Sequence, residues 1–173
     1  MIVEIRTAAE LLADGGAADR IARRTQRDDP LLRAIWREFV EHGGPVALAG
    51  ATARVPGLSA DAARARAIAL DAADLIDLAG DTVRLAYPFT AFPSMFEVCP
   101  RGGRAVYACC AIDALGVAPM LGTPAAVRTR CHSSGAPLRF DVDPVAGPCD
   151  PPRESLVWVE RGRKGGDRLS GFL

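Results

Sequence analysis

The texture of the chain changes near residue 88, and that change restricts the fold more than any other feature. Upstream, apolar residues recur at helical intervals among many alanines; downstream come short alternating segments punctuated by Gly and Pro. The first pattern suits amphipathic helices and the second short strands. Segregating the two along one chain predicts an α+β fold, in which a helical module packs on a small mixed or antiparallel sheet. Residues 1–87 are expected to form the helical module and residues 88–173 the sheet-bearing domain.

In the first half, residues 1–27 combine an apolar start with an Ala-rich segment and the cluster Arg20, Arg23, Arg24 and Arg27. Helices at about 7–13 and 19–25 fit this composition, with the arginines on a solvated face. Asp29-Pro30 is a helix start, because the Asp carboxylate caps free N–H groups and Pro at the first helical position loses nothing by lacking its own. Leu31, Leu32, Ile35, Phe39 and Val40 follow at helical spacing until Gly43-Gly44. A short helix over about 47–54 and a third over 59–73, capped by Ser59, come next. Leu75–Leu78 and Val83–Tyr87 then flank a Gly80-Asp81 turn and read as a hairpin.

Three helices followed by a hairpin is a winged-helix pattern, which can place its third helix in a DNA major groove. Here that helix offers Arg64 and Arg66 against Asp61 and Asp71, with no Asn, Gln or Lys to read base edges. Packing rather than DNA reading is expected of it. The 21 basic and 21 acidic residues cancel, so no overall field draws the chain to nucleic acid or an anionic membrane. No stretch has the length of a membrane span and the N-terminus lacks a secretory pattern, so we expect a cytoplasmic protein.

In the second half, residues 87–93 read as an extended linker broken by Pro88 and Pro93. Phe96–Cys99 and Arg104–Tyr107 should pair as a hairpin around Gly102-Gly103. An apolar segment carrying Cys109, Cys110 and Asp113 follows, with Gly116, Pro119 and Gly122 as expected breaks. Strands are expected over 125–131 and 138–142, joined by a turn at His132–Gly135. A loop over 144–153 holding Cys149, a last strand over 155–159 and a polar tail complete the chain.

Five cysteines at irregular spacing, with no C-x-x-C pair, argue for free thiols rather than a disulfide framework or structural zinc. His132 beside Cys131 is the one adjacent Cys–His pair. Cys110 and Asp113 stand out for another reason. Free Cys often serves as a small buried hydrophobe, but a carboxylate among apolar neighbours is costly unless it is paired or used. If the segment from Cys109 onward is helical, residues three apart share a face. A soft nucleophile then has a proton carrier beside it.

These residues carry a resemblance. Phe96-Glu-Val98 before the hairpin turn, Tyr107-Ala-Cys-Cys-Ala-Ile-Asp113, the small Pro-containing stretch to Gly122, and Cys131 leading into Ser-Ser-Gly resemble the organomercurial (alkylmercury) lyases. The resemblance implies that Cys110 is the nucleophile toward mercury and that Asp113 shuttles the proton in cleaving a carbon–mercury bond. It implies no organic cofactor: mercury is substrate or product, and small thiols remove the product. The implied partner is a small organometallic or thiol-reactive ligand, with Cys110, Asp113 and Cys109 as candidate mercury ligands. Cys131 has a structural counterpart in the family.

The family also places a second catalytic cysteine after the strand equivalent to 156–159, whereas here Cys149 precedes that strand and no cysteine follows it. The resemblance thus implies a divergent member, and several readings stay open. Cys109 supplies the second sulfur, although adjacent helix positions point about 100° apart. Alternatively, the chain binds a soft metal or ligand without turnover, or runs different thiol chemistry on the same scaffold. A winged-helix regulator with the thiols as sensor is the remaining alternative.

Overall fold

The computed structural model describes residues 28–149 continuously, together with residues 5, 7, 9, 10, 156 and 157. The Arg20–Arg27 cluster and the polar tail lie outside the described residues. So do the expected early helices and last strand, apart from those isolated positions. What is described is an α+β fold of four helices and a nine-stranded antiparallel sheet.

Helix α1 (Pro30–His42) begins as the sequence dictates. Asp29 Oδ1 accepts from the N–H groups of Leu31 (2.8 Å) and Leu32 (3.0 Å), and Gly43 closes the other end at φ 73°. Leu31, Leu32, Ile35 and Phe39 are all but fully buried. Strand β1 (Val46–Ala47) leads directly into α2 (Leu48–Ala53), and Ser59 caps α3 (Ala60–Ala72), accepting from the N–H of Ala62. The two arginines of α3 are both engaged within the chain: Arg64 pairs with Asp81, and Arg66 with Asp29. Asp29 is 6% exposed, so one buried carboxylate caps α1 and holds α3 against it. A buried charge is tolerable only with such compensation.

The hairpin of β2 (Ile76–Ala79) and β3 (Thr82–Ala86) follows as expected. The expected linker, by contrast, contains a strand. Phe89–Thr90 forms β4, pairing with β3 through Leu85↔Thr90 and with β6 through Thr90↔Tyr107. Two residues between prolines are too few to display alternation, so the burial that makes them a strand is invisible locally. Phe89 is fully buried and its ring stacks on that of Phe39 at 5.9 Å between centroids. The texture boundary at residue 88 therefore falls inside one continuous sheet.

Strands β5 (Glu97–Pro100) and β6 (Val106–Ala108) form the expected hairpin. Their turn packs on the end of α1: the Arg104 N–H donates to the Val40 carbonyl at 2.9 Å. A Cβ added to Gly103 would lie 2.7 Å from Val40 Cγ1, so glycine permits this approach. Helix α4 runs from Ala111 to Leu121 through Gly116 and Pro119, both expected to break it, and stops only at Gly122 with φ 64°. One proline costs the helix a single hydrogen bond, which burial of Ala114, Val117 and Ala118 offsets. Beyond it come β7 (Ala125–Arg130) and β8 (Pro137–Asp143). The expected Cys149 loop instead holds β9 (Gly147–Cys149), paired with the end of β8.

The sheet order is β1-β3-β4-β6-β5-β7-β8-β9, with β2 on the other side of β3. Helix α4 contacts β5 through β9, and α1 to α3 cover the opposite end. Because β4 bridges the two ends and Phe89 is packed on α1, Phe89→Ala should destabilise the protein by about 3–5 kcal/mol. Urea denaturation followed by circular dichroism measures this. A loss below about 1 kcal/mol would show that β4 is dispensable.

Candidate functional site

The site begins where β6 ends. Ala108 closes the strand, Cys109 and Cys110 form a bend, and α4 starts at Ala111. Two contacts fix this bend. The Cys109 N–H donates to the Pro88 carbonyl at 3.0 Å, tying the bend to the residue before β4. The Ser94 hydroxyl donates to the Ala108 carbonyl at 2.7 Å while its oxygen accepts from the Phe96 N–H at 3.1 Å. Neither Pro88 nor Ser94 stood out as a site-positioning residue in the sequence. The only local signal was a serine after a proline ahead of a strand, a common turn pattern.

Cys110 does not lie within the helix. It is the N-cap of α4, with extended backbone at φ −152° and ψ 177°. Asp113 occupies the third helical position, so the pair is brought together by capping geometry rather than by a shared helix face. The Cys110 sulfur accepts from the Asp113 N–H at 3.4 Å and donates to Asp113 Oδ2 at 3.1 Å. The first contact is the N-cap half of a capping box with a thiol in place of the usual hydroxyl; in the second the Asp113 carboxylate accepts from the thiol rather than from the Cys110 backbone N–H. Thiol and carboxylate thus meet without a ligand to assemble them.

Opposing effects act on the thiol. Unpaired N–H groups at a helix start favour an anion, and the backbone N–H groups of Asp113 and Ile112 pull in that direction. Desolvation of the sulfur and, next, the charge of Asp113 act the other way and win, pushing Cys110 up to about 11. The residue as a whole is nevertheless exposed. At neutral pH only about one Cys110 in ten thousand is a thiolate at such a value. The resting site therefore holds a proton between sulfur and carboxylate, and an electrophile can approach from solvent.

Cys109 is half-buried and immediately adjacent. Cys109, Cys110 and Asp113 do not form a group whose donor atoms all lie within 4.8 Å of one another; among the described residues only Glu38, Glu41 and His42 do. Arg54 already pairs with both of those glutamates. Cys131 follows β7 directly, at a turn where the Ser134 hydroxyl, then the N–H groups of Ser134 and Ser133, lower its thiol below the ordinary value. Cys99 lies on β5 and Cys149 on β9. All five cysteines are free.

Because the two thiols are shifted in opposite directions, iodoacetamide near neutral pH should alkylate Cys131 well before Cys110. Asp113→Asn removes the repelling charge and should accelerate labelling of Cys110. Mass-spectrometric mapping over time reads both rates; labelling of Cys110 ahead of Cys131 would contradict a protonated resting thiol.

Comparison with known proteins converges on one family. Residues 89–171 match the alkylmercury lyase family model. The alkylmercury lyase of Streptomyces lividans is 42% identical over 52 residues, 30% of this chain and 23% of that protein. The Pseudomonas putida alkylmercury lyase is 33% identical over 81 residues, 47% of this chain and 37% of that protein. The chain thus aligns with only 23% to 37% of these relatives' lengths. A crystal structure of the mercury-bound form of MerB2 superposes with TM-score 0.56 at 21% identity, covering 71% of this chain and 59% of that one. At that identity the likeness is one of fold. Residues 89–171, just under half of the chain, are thus similar to the alkylmercury lyase family.

Proposed function

We propose that the protein cleaves carbon–mercury bonds by protonolysis, with Cys110 as nucleophile and Asp113 as proton carrier. The observation that carries this reading is the reciprocal Cys110–Asp113 contact, 3.1 Å from sulfur to carboxylate oxygen at an open helix N-terminus. The matching of residues 89–171 to the alkylmercury lyases supports it.

The chemistry follows from the resting state. A thiol is a poor ligand and a thiolate a strong one for a soft metal. As mercury of an organomercurial approaches the sulfur, its positive charge offsets the effects that hold the proton there. The proton passes to Asp113, the adjacent base. Asp113 then delivers it to the carbon as the carbon–mercury bond breaks. One S–H and one C–Hg bond are lost, one S–Hg and one C–H bond are gained, and mercury stays Hg(II) throughout. No electron transfer is required, and so no organic cofactor. A second sulfur is needed to complete linear dithiolate coordination; Cys109 or a small thiol from solution fills that place and releases the metal.

The helices ahead of residue 88 read best as a winged-helix-type packing module. The order α1, α2, α3 and the β2–β3 hairpin supports this, and the engagement of Arg64 with Asp81 and of Arg66 with Asp29 leaves α3 poorly equipped to grip nucleic acid. No described helix is long and apolar enough to cross a membrane.

The test uses the full chain with a phenylmercury salt and excess small thiol, following benzene release by gas chromatography. Wild type should turn over, Cys110→Ser should be inactive, and Asp113→Ala should lose about 100-fold or more, the scale of a lost acid–base group. Tight mercury binding by wild type without any benzene would sink the lyase reading.

A further inference from the structure

A second feature lies on the sheet beside the thiol bend. A solvent-open cleft of about 640 Å³ is bounded by Ser94, Met95, Arg128, Arg130, Leu138 and Arg139. Three guanidinium groups thus border one cleft. The pairing register places Arg128 directly opposite Arg139 across β7 and β8, and like charges in that relation repel. Glu97, next along the same row on β5, answers Arg128 with an ion pair at 2.7 Å. It does not answer the other two. Arg130 reaches only the Gly135 carbonyl, at 3.2 Å. Neither Arg130 nor Arg139 forms an ion pair among the described residues, although Asp141 lies two positions beyond Arg139 on the same face.

The surface beside these cations is apolar: Met95 is 51% exposed, and Pro137, opposite Arg130 in the register and so on the arginine face, lines the adjoining side. Such a mixture selects for more than charge. A hydrated inorganic anion would satisfy the arginines but leave the methionine and proline surfaces wet. An organic carboxylate with an apolar body satisfies both, because the guanidinium fork matches a carboxylate in two parallel hydrogen bonds and the body covers the apolar wall.

We propose that this cleft binds an organic carboxylate, with Arg130 and Arg139 gripping the carboxylate and Met95 and Pro137 covering its apolar part. The site is separate from the Cys110–Asp113 pair, yet Ser94 connects them: it borders the cleft and its hydroxyl holds the Ala108 carbonyl two residues before Cys110. An occupant would rest against the segment that positions the thiol bend.

The binding test needs no mercury, so it stands or falls independently of the lyase reading. Isothermal titration calorimetry of the full chain at low ionic strength, with benzoate as probe, should show saturable one-to-one binding. Arg139→Gln and Arg130→Gln should each weaken it about tenfold, while Cys110→Ser leaves it unchanged. Both arginines are exposed, and matching thermal melts would confirm that the variants fold. Benzyl alcohol, the neutral analogue, should not compete, and inorganic phosphate should bind more weakly than benzoate. Absence of saturable benzoate binding would overturn the proposal. So would binding that Arg139→Gln leaves intact, or phosphate binding as tight as benzoate.

Discussion

Two residues, Phe89 and Thr90, hold the architecture together. They pair on one side with β3, which belongs to the helical half, and on the other with β6, which leads into the thiol bend. The Phe89 ring is stacked on Phe39 of α1, and the carbonyl of the preceding Pro88 accepts the Cys109 N–H. A single buried strand therefore fixes helix, sheet and site relative to one another. Its stability comes from tertiary burial, since two residues have little intrinsic preference to be extended.

The site inherits its character from this placement. Had Cys110 stood one turn inside a helix, its sulfur would have had no free N–H groups to meet. As N-cap it meets them, and the same geometry brings the Asp113 carboxylate to its sulfur. The helix start favours a thiolate, while desolvation and the neighbouring charge oppose it more strongly. The outcome is a stored proton rather than a preformed anion.

The fold and the site were legible to different degrees. Helix boundaries at Asp29, Gly43 and Ser59 could be read because capping is local chemistry, decided within three or four residues. The hairpins around Gly80 and Gly102 were readable for the same reason. Strand β4 was not, because prolines mask it and its partners are distant in sequence. The continuation of α4 through Gly116 and Pro119 was equally hidden, since burial against five strands outweighs their weak helix preference. At the site, the pairing of Cys110 with Asp113 was visible from their spacing, but the reason for it was not: a cap, rather than a common helix face, joins them.

The sequence by itself determined which chemistry is available: free thiols without a zinc pattern, a cysteine three residues before an aspartate, and a neutral overall charge. Those are properties of residue type and spacing. Only the tertiary structure decided that the Cys110 proton is shared with Asp113, that Arg64 and Arg66 are engaged within the chain, and that three arginines from adjacent strands border one cleft. Each depends on groups brought together across the fold or on their desolvation, and neither distance nor dielectric is written in the order of residues.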